Sequence, residues 1–211
     1  FLPGEELTHE NIHFAFPPDD DQLTSEQLSK YNRIKFVTKV AKGKPIKIHA
    51  IKQCNERENI LKLAKKVINL LMNSSVTVPS SFNLELSHHY GLDKFEKFGL
   101  GMITLVNREY CKKILICLPC QEHPEQFHKK KEETFHILSG SITLTLNGKK
   151  KELSPGDVYT ILPLERHAFV SKTGAIIEEI SSSHYPDDSY YSDKKINENK
   201  ERKTIINYRI N

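Results

Sequence analysis

Five of the ten histidines fall in one stretch: His123, His128, His136, His167 and His184. Within it His128 lies five residues before Glu133, Glu133 lies seven before Gly140, and His167 follows 34 residues after Glu133, behind Pro155-Gly156-Asp157. Neutral imidazole nitrogens and a carboxylate oxygen are the ligands that Mn, Fe, Zn, Ni and Co share. His128, Glu133 and His167 are therefore candidate ligands of one divalent metal, if the fold brings them together. Lys131 and Glu133 have the same parity and face one side of an extended chain; His136 has the opposite parity to Glu133 and is expected to point outward. No nucleophile elbow and no Ser–His–Asp pattern accompanies these residues, which disfavours a metal-independent hydrolase.

Such residues need strands to carry them. From Gly99 onward short apolar runs recur every eight to twelve residues: 102–106, 113–118, 134–138, 142–146, 157–162, 168–170 and 175–180. Ser139-Gly140, Asn147-Gly148, Pro155-Gly156 and Thr173-Gly174 separate them, and Asn147-Gly148 between two alternating runs is a hairpin signal. Many short, evenly spaced strands predict a sandwich or small barrel, whose inward positions converge between apolar walls. Before it, Ile60, Leu63, Ala64, Val67, Ile68 and Leu71 recur at helical spacing, predicting a helix over 55–72 capped by Asn55, its apolar stripe packed on a sheet. Thr24-Ser25-Glu26-Gln27 reads as a capping box, and residues 33–51 as a hairpin-like strand pair around Gly43-Lys44-Pro45. The expected layout is an N-terminal α+β segment over 1–98, a β-barrel over 99–190 and a charged, extended arm over 191–211.

The spacing resembles the cupin family. Its first motif runs Gly, five residues, His-x-His, three or four residues, Glu, six residues, Gly; its second runs Gly, five residues, Pro-x-Gly, two residues, His. Here the first reads Gln126-x-His128, four residues, Glu133, six residues, Gly140, and the second Gly156, five residues, Leu162-Pro163-Leu164, two residues, His167. The resemblance implies a mostly β fold, a double-stranded β-helix or jelly-roll barrel, and a metal set of Gln126, His128, Glu133 and His167. Two positions depart from the pattern. Gln126 replaces the first His, and an amide oxygen ligates more weakly than imidazole. Leu164 replaces the Gly that would ease the turn before His167.

Within the cupins the chain resembles D-lyxose isomerases and the cupin region carried by some sialic-acid-synthase-like fusion proteins. Segments similar to the latter are Glu85-Leu86-Ser87-His88-His89-Tyr90-Gly91, residues 106–113, and Glu178-Glu179-Ile180-Ser181 running on to His184-Tyr185. The isomerase pattern implies catalytic roles for Lys131 and Glu179. An aldose–ketose shift moves a proton between C1 and C2 through an enediol, so it needs a carboxylate to carry the proton and a cation beside the developing charge. Glu178 and Glu179 have opposite parity; one faces in, and the isomerase match selects Glu179. Arg108 and Lys113 are candidates for reading a carboxylate or phosphate, or else surface charge. His184 and Tyr185 are expected to line the mouth, and His88-His89-Tyr90 to form a surface turn or else to contact the sugar. Lys149-Lys150-Lys151 is expected on a solvated face.

Composition narrows the classes. Lys plus Arg is 31 against 27 Asp plus Glu, a net charge of +4 without a basic stripe interleaved with aromatics, so a dedicated nucleic-acid partner is disfavoured. No apolar run is long enough for a membrane span. The acidic start shows no signal peptide, and the cysteines, Cys54, Cys111, Cys117 and Cys120, read as reduced thiols; both point to the cytoplasm. A chain that begins Phe1 reads as cut from a longer one, in line with a synthase fusion. Cupins commonly pair, so a homodimer is expected. Two functions follow: a metal-dependent sugar ketol-isomerase, or a carbohydrate-binding module for a sugar or sugar acid that performs no chemistry.

Overall fold

The computed structural model describes residues 1–28, 32–185 and 187–210; residues 29–31 of the expected N-terminal segment and Asn211 of the expected arm lie outside them. The chain divides into two compact units, Phe1–Lys62 and Leu63–Asn211.

In the first unit the capping box forms on a single 3-10 turn, Ser25–Gln27, and the Thr24 backbone N–H donates to the Gln27 side chain at 3.0 Å. Strands β1 (Asn32–Phe36) and β2 (Ile51–Asn55) pair antiparallel, Ile34 opposite Gln53. The second strand thus lies beyond Ile46 and Ile48, since Ile48–Ala50 is a 3-10 turn. Gly43, at φ +75°, and Pro45, which has no N–H for a ladder, keep that stretch out of the sheet. Helix α1 (Glu56–Met72) follows, beginning in this unit and running on in the second from Leu63, with Asn55 Oδ1 accepting the Glu58 N–H at 3.2 Å, as the sequence indicated. Leu63, Ala64, Val67, Ile68 and Leu71 are buried. A Cβ at Gly101 would lie 2.4 Å from Val67 Cγ1, so the missing side chain is what lets this stripe lie against the sheet.

The second unit holds strands β3 (Ser81–His88), β4 (Gly99–Asn107), β5 (Tyr110–Cys117), β6 (Gln121–Phe127), β7 (Glu133–Gly140), β8 (Ile142–Leu146), β9 (Lys149–Leu153), β10 (Val158–Ile161), β11 (His167–Ser171), β12 (Ala175–Ser182), β13 (Tyr190–Tyr191) and β14 (Lys203–Arg209), with short helices α2 (Phe95–Phe98) and α3 (Lys194–Glu198). They form two antiparallel sheets, in the orders β10-β7-β12-β5-β4-β3-β14 and β13-β6-β11-β8-β9. Leu115, Phe135, Ile137 and Ile177 of one sheet and Ile142, Leu144 and Phe169 of the other share a single apolar core. Asn147 and Gly148 both take positive φ, +47° and +80°, the turn that matches the twist of a two-residue hairpin. This mostly β, two-sheet jelly roll is the expected class.

Its borders differ from expectation. β3 precedes residue 99, and β14 pairs with β3 along its length, Ile206 opposite Leu84. The C-terminal stretch is therefore an edge strand and not an extended arm. Lys203 and Arg209 stand exposed at the two ends of this edge strand, where charge discourages further pairing.

Candidate metal centre

Gln126 on β6 and His167, the first residue of β11, stand directly opposite each other, and Gln126 Nε2 lies 3.3 Å from His167 Nε2. The next register pair is Phe169 with His123, so β6 uses two residues where β11 uses one. This bulge lets His123 and Gln126, three apart, both face inward, where an unbroken pleat would put them on opposite faces. Pro124 sits in the bulged stretch, where a missing N–H costs no ladder bond.

His128 Nδ1 is 2.7 Å from the Asp188 carbonyl oxygen, and His167 Nδ1 is 3.1 Å from that of Glu165. A carbonyl only accepts, so each Nδ1 carries the proton and each Nε2 offers a lone pair. Both lone pairs meet Glu133 at the head of β7: His128 Nε2 is 3.5 Å from Oε2, and His167 Nε2 is 2.9 Å from Oε1 without hydrogen-bond geometry. One ligand atom from each of the three residues lies within 4.8 Å of the others. His128 Nε2, Glu133 Oε1 and Gln126 Oε1 are buried with no hydrogen-bond partner among the described residues. Acceptors gathered in a dry interior without a donor are what a cation completes. The set fits a divalent metal, with two imidazoles, one carboxylate and the Gln126 amide oxygen in reach after a half-turn of the amide. His123 lies outside this cluster.

Beside it, Lys131 Nζ contacts Glu133 Oε2 and lies 3.0 Å from Glu179 Oε1. Lys113 Nζ approaches the same Glu179 oxygen at 3.1 Å and His184 Nδ1 at 3.3 Å. Lys113 and Glu179 are cross-strand partners on β5 and β12, which fixes their approach. Burial alone would lower the Lys131 ammonium and raise both carboxyls. The opposite charges outweigh it, so Lys131 is raised, Glu179 is lowered and Glu133 is held well below the usual carboxylate range. All three are ionised at neutral pH. Glu178 points outward, 2.7 Å from Lys112 Nζ and 3.1 Å from His136 Nδ1, so the inward member of the Glu178–Glu179 pair is Glu179 and His136 is on the outer face.

Other expected positions fall elsewhere. Arg108 is exposed in the β4–β5 turn, and Tyr185 is 45% exposed with the Lys130 ammonium 5.2 Å from its ring; neither lines the cavity, which His184 does. Both stand just past a strand end, where the pleat no longer aims a side chain inward. His88 and His89 are buried and not on a surface turn. His89 Nδ1 meets the Phe98 carbonyl at 2.5 Å and its Nε2 meets the Tyr191 hydroxyl at 3.1 Å, because the C-terminal stretch folds back over the turn. All four cysteines are free, and Cys117 and Cys120 do not share a site: one thiol is buried, the other exposed.

Residues 115–178 match the profile of the family described as Cupin domain. They are a cupin domain. The chain is similar to a D-lyxose/D-mannose isomerase of Thermosediminibacter oceani, 28% identical over 172 positions that cover 67% of this chain and 94% of that protein. It is likewise similar to a D-lyxose ketol-isomerase of Thermofilum sp., 27% identical over 170 positions, 66% of this chain and 94% of that one. Among solved structures, an RmlC-like cupin from Shewanella frigidimarina NCIMB 400 is matched at 22% identity with a TM-score of 0.39, over 42% of this chain and 79% of that chain.

One residue that holds the cupin site together gave no signal in the sequence. The Asp188 carboxylate accepts the backbone N–H groups of Lys129, Lys130 and Lys131 at 3.1, 3.1 and 3.0 Å, while its own carbonyl orients His128. Burial would raise this carboxyl, but the three amides outweigh it and hold it down. It stands 55 residues after Glu133, in a loop with no recurring motif.

The motif departure at Leu164 leaves a mark on the cupin turn. Leu164 adopts φ +71° and is 66% exposed, pinned by its N–H to the His128 carbonyl at 2.7 Å. A left-handed backbone costs a branched residue about 1–3 kcal/mol, partly offset by the greater unfolded-state freedom of Gly. Leu164→Gly is expected to stabilise the protein by about 0.5–1 kcal/mol, read as a rise in the thermal midpoint; a fall would contradict it.

Behind the cupin site, His123 stacks on Phe169 at 4.8 Å and meets His89 edge-on at 4.9 Å. Burial pushes His89 down to about 4 and His123 well below its usual value of 6.5. A base that resists protonation when folded contributes its full stability above pH 6.5, loses it as pH falls toward 4, and loses no more below that. For His89 the window from 6.5 to about 4 is worth about 3 kcal/mol. The urea midpoint is expected to fall across that window, and a flat profile would overturn the assignment.

Proposed function

We propose that this protein is a metal-dependent aldose–ketose isomerase. The observation that carries the reading is the ionised Lys131–Glu179 pair, buried beside three acceptor side chains that fit a divalent cation. His128, Glu133 and His167, with Gln126 as weaker fourth donor, would hold Mn, Fe, Zn, Ni or Co, and such an ion would supply polarisation of a sugar carbonyl. The rest falls to the chain. Glu179 takes the proton from the carbon next to the carbonyl and returns it to the former carbonyl carbon, while the proton of the neighbouring hydroxyl passes to the former carbonyl oxygen, so that the new carbonyl forms where that hydroxyl stood. Lys131 faces the oxygen that becomes negative in the enediol, and Lys113 holds Glu179 from its other side. Leu100, Met102, Leu115, Phe135 and Phe169 wall the cavity and limit water, which protects the enediol. The names of the two relatives, both sugar isomerases, support the reaction class. In this reading the protein is a cytoplasmic homodimer with reduced thiols. No helix among the described residues is long and apolar enough to cross a membrane.

The test is incubation of the Mn(II)-loaded chain with D-lyxose, D-mannose and further aldoses, followed by ketose detection. Ketose from at least one sugar is expected; none from any overturns the proposal. Gln126 favours a second reading, a carbohydrate-binding module without chemistry, in the setting of a sialic-acid-type synthase. If Gln126→His creates tight metal uptake where the native chain has none, that second reading stands instead.

A further inference from the structure

We propose that the cavity selects an anionic sugar, one bearing a phosphate or a carboxylate, and that Lys113 and Arg202 receive the anion. This rests on the cavity being a sugar site and names the class of sugar. Its charged lining consists of Lys113, Lys131, Arg202 and Lys203 against Glu133 and Glu179. Lys203 is offset by Glu85, 3.0 Å away, which still leaves three cations against two carboxylates. A bound divalent metal would add to that excess. A neutral sugar has no charge to answer it, and seating one would cover the half-buried Arg202 guanidinium without giving it a counter-charge, which is costly. A substrate anion supplies the missing charge.

The positions agree. Lys113 is 4% exposed, so its ammonium is a buried charge turned into the cavity, shared between Glu179 and His184. Arg202 enters from just before β14. Its carbonyl accepts the His88 N–H at 2.7 Å, tying the backbone to the end of β3. Its guanidinium lies 5.0 Å over the Tyr191 ring and meets, among the described residues, a single acceptor, the Ile196 carbonyl at 3.4 Å. Four of the five donors of a guanidinium are then available for a forked contact with oxyanion oxygens. Neutral His184 and the hydroxyl of Ser189 add hydrogen-bonding groups on the same lining. The positive field is visible in its neighbours. Burial and then Lys113 push His184 down to about 4, and Arg202 is among the charges that lower His89.

Calorimetric titration of the Mn(II)-loaded full chain with D-mannose, D-mannose 6-phosphate and D-mannuronate tests this, with ketose formation followed in parallel. At least one of the two anions is expected to bind ten-fold or more tighter than mannose, and comparison of the two tells phosphate from carboxylate. The preference should shrink as salt rises from 0.02 to about 0.5 M. It should fall several-fold in Arg202→Gln and recover in Arg202→Lys. Equal binding of all three sugars, or a preference indifferent to both salt and Arg202→Gln, overturns the proposal. Anion preference without any ketose would sink the isomerase reading and leave this one standing; ketose from mannose with no anion preference would do the reverse.

Discussion

Glu179→Gln is expected to lower aldose–ketose interconversion by about 10²–10⁴-fold, the usual contribution of a positioned proton carrier. Mn(II) uptake should stay within about an order of magnitude, because the substituted carboxyl is not one of the three clustered acceptors. The same change strands the buried Lys113 ammonium, which loses its carboxylate partner, while Lys131 keeps Glu133. Removing one partner of a buried ion pair costs about 3–5 kcal/mol, so a large fall in the thermal midpoint should accompany the lost turnover. Adding Lys113→Met takes away the stranded charge and should recover part of that fall without restoring activity. Full turnover in Glu179→Gln would remove Glu179 from the chemistry.

Asp188→Ala should weaken Mn(II) binding by about 10–100-fold, the range seen when outer partners of metal ligands are removed. The carboxylate gathers three successive backbone amides, and the loop so held carries both His128 and Lys131. Without it the His128 ring loses its fixed aim and Lys131 its fixed start. A titration against a chelating dye reads the effect directly. Asp188→Asn, whose side-chain oxygen still accepts, should lose less; equal loss in both, or none in either, contradicts this role.

Much of the site was legible because ligand chemistry and spacing are local properties. His128, Glu133 and His167 could be picked out by residue type, and parity put Lys131 on the side of Glu133, although it is the Asp188-held loop before β7 that sets Lys131 there. Parity could not choose between Glu178 and Glu179; the register of β12 against β5 does, by setting Glu179 opposite Lys113. It also fails at β6, where a bulge resets the alternation and Pro124 and five polar residues mask the strand. Asp188, Arg202 and the buried His89 owe their places to long-range folding of the C-terminal stretch. No periodicity reports such contacts, and the charge of the same stretch reads as an extended arm. Arg108 and Tyr185 show the converse: suitable residue types at strand ends, with no pleat left to aim them.

The pairing of β14 with β3 also bears on the order of events during synthesis. His88 bonds Thr204 across 116 residues of chain. A growing polypeptide therefore displays an open strand margin on β3 until residues near 204 leave the ribosome. That margin is a template for stray association with other nascent chains. The same stretch brings Arg202 to the cavity lining, so the pocket is complete only once that margin is covered.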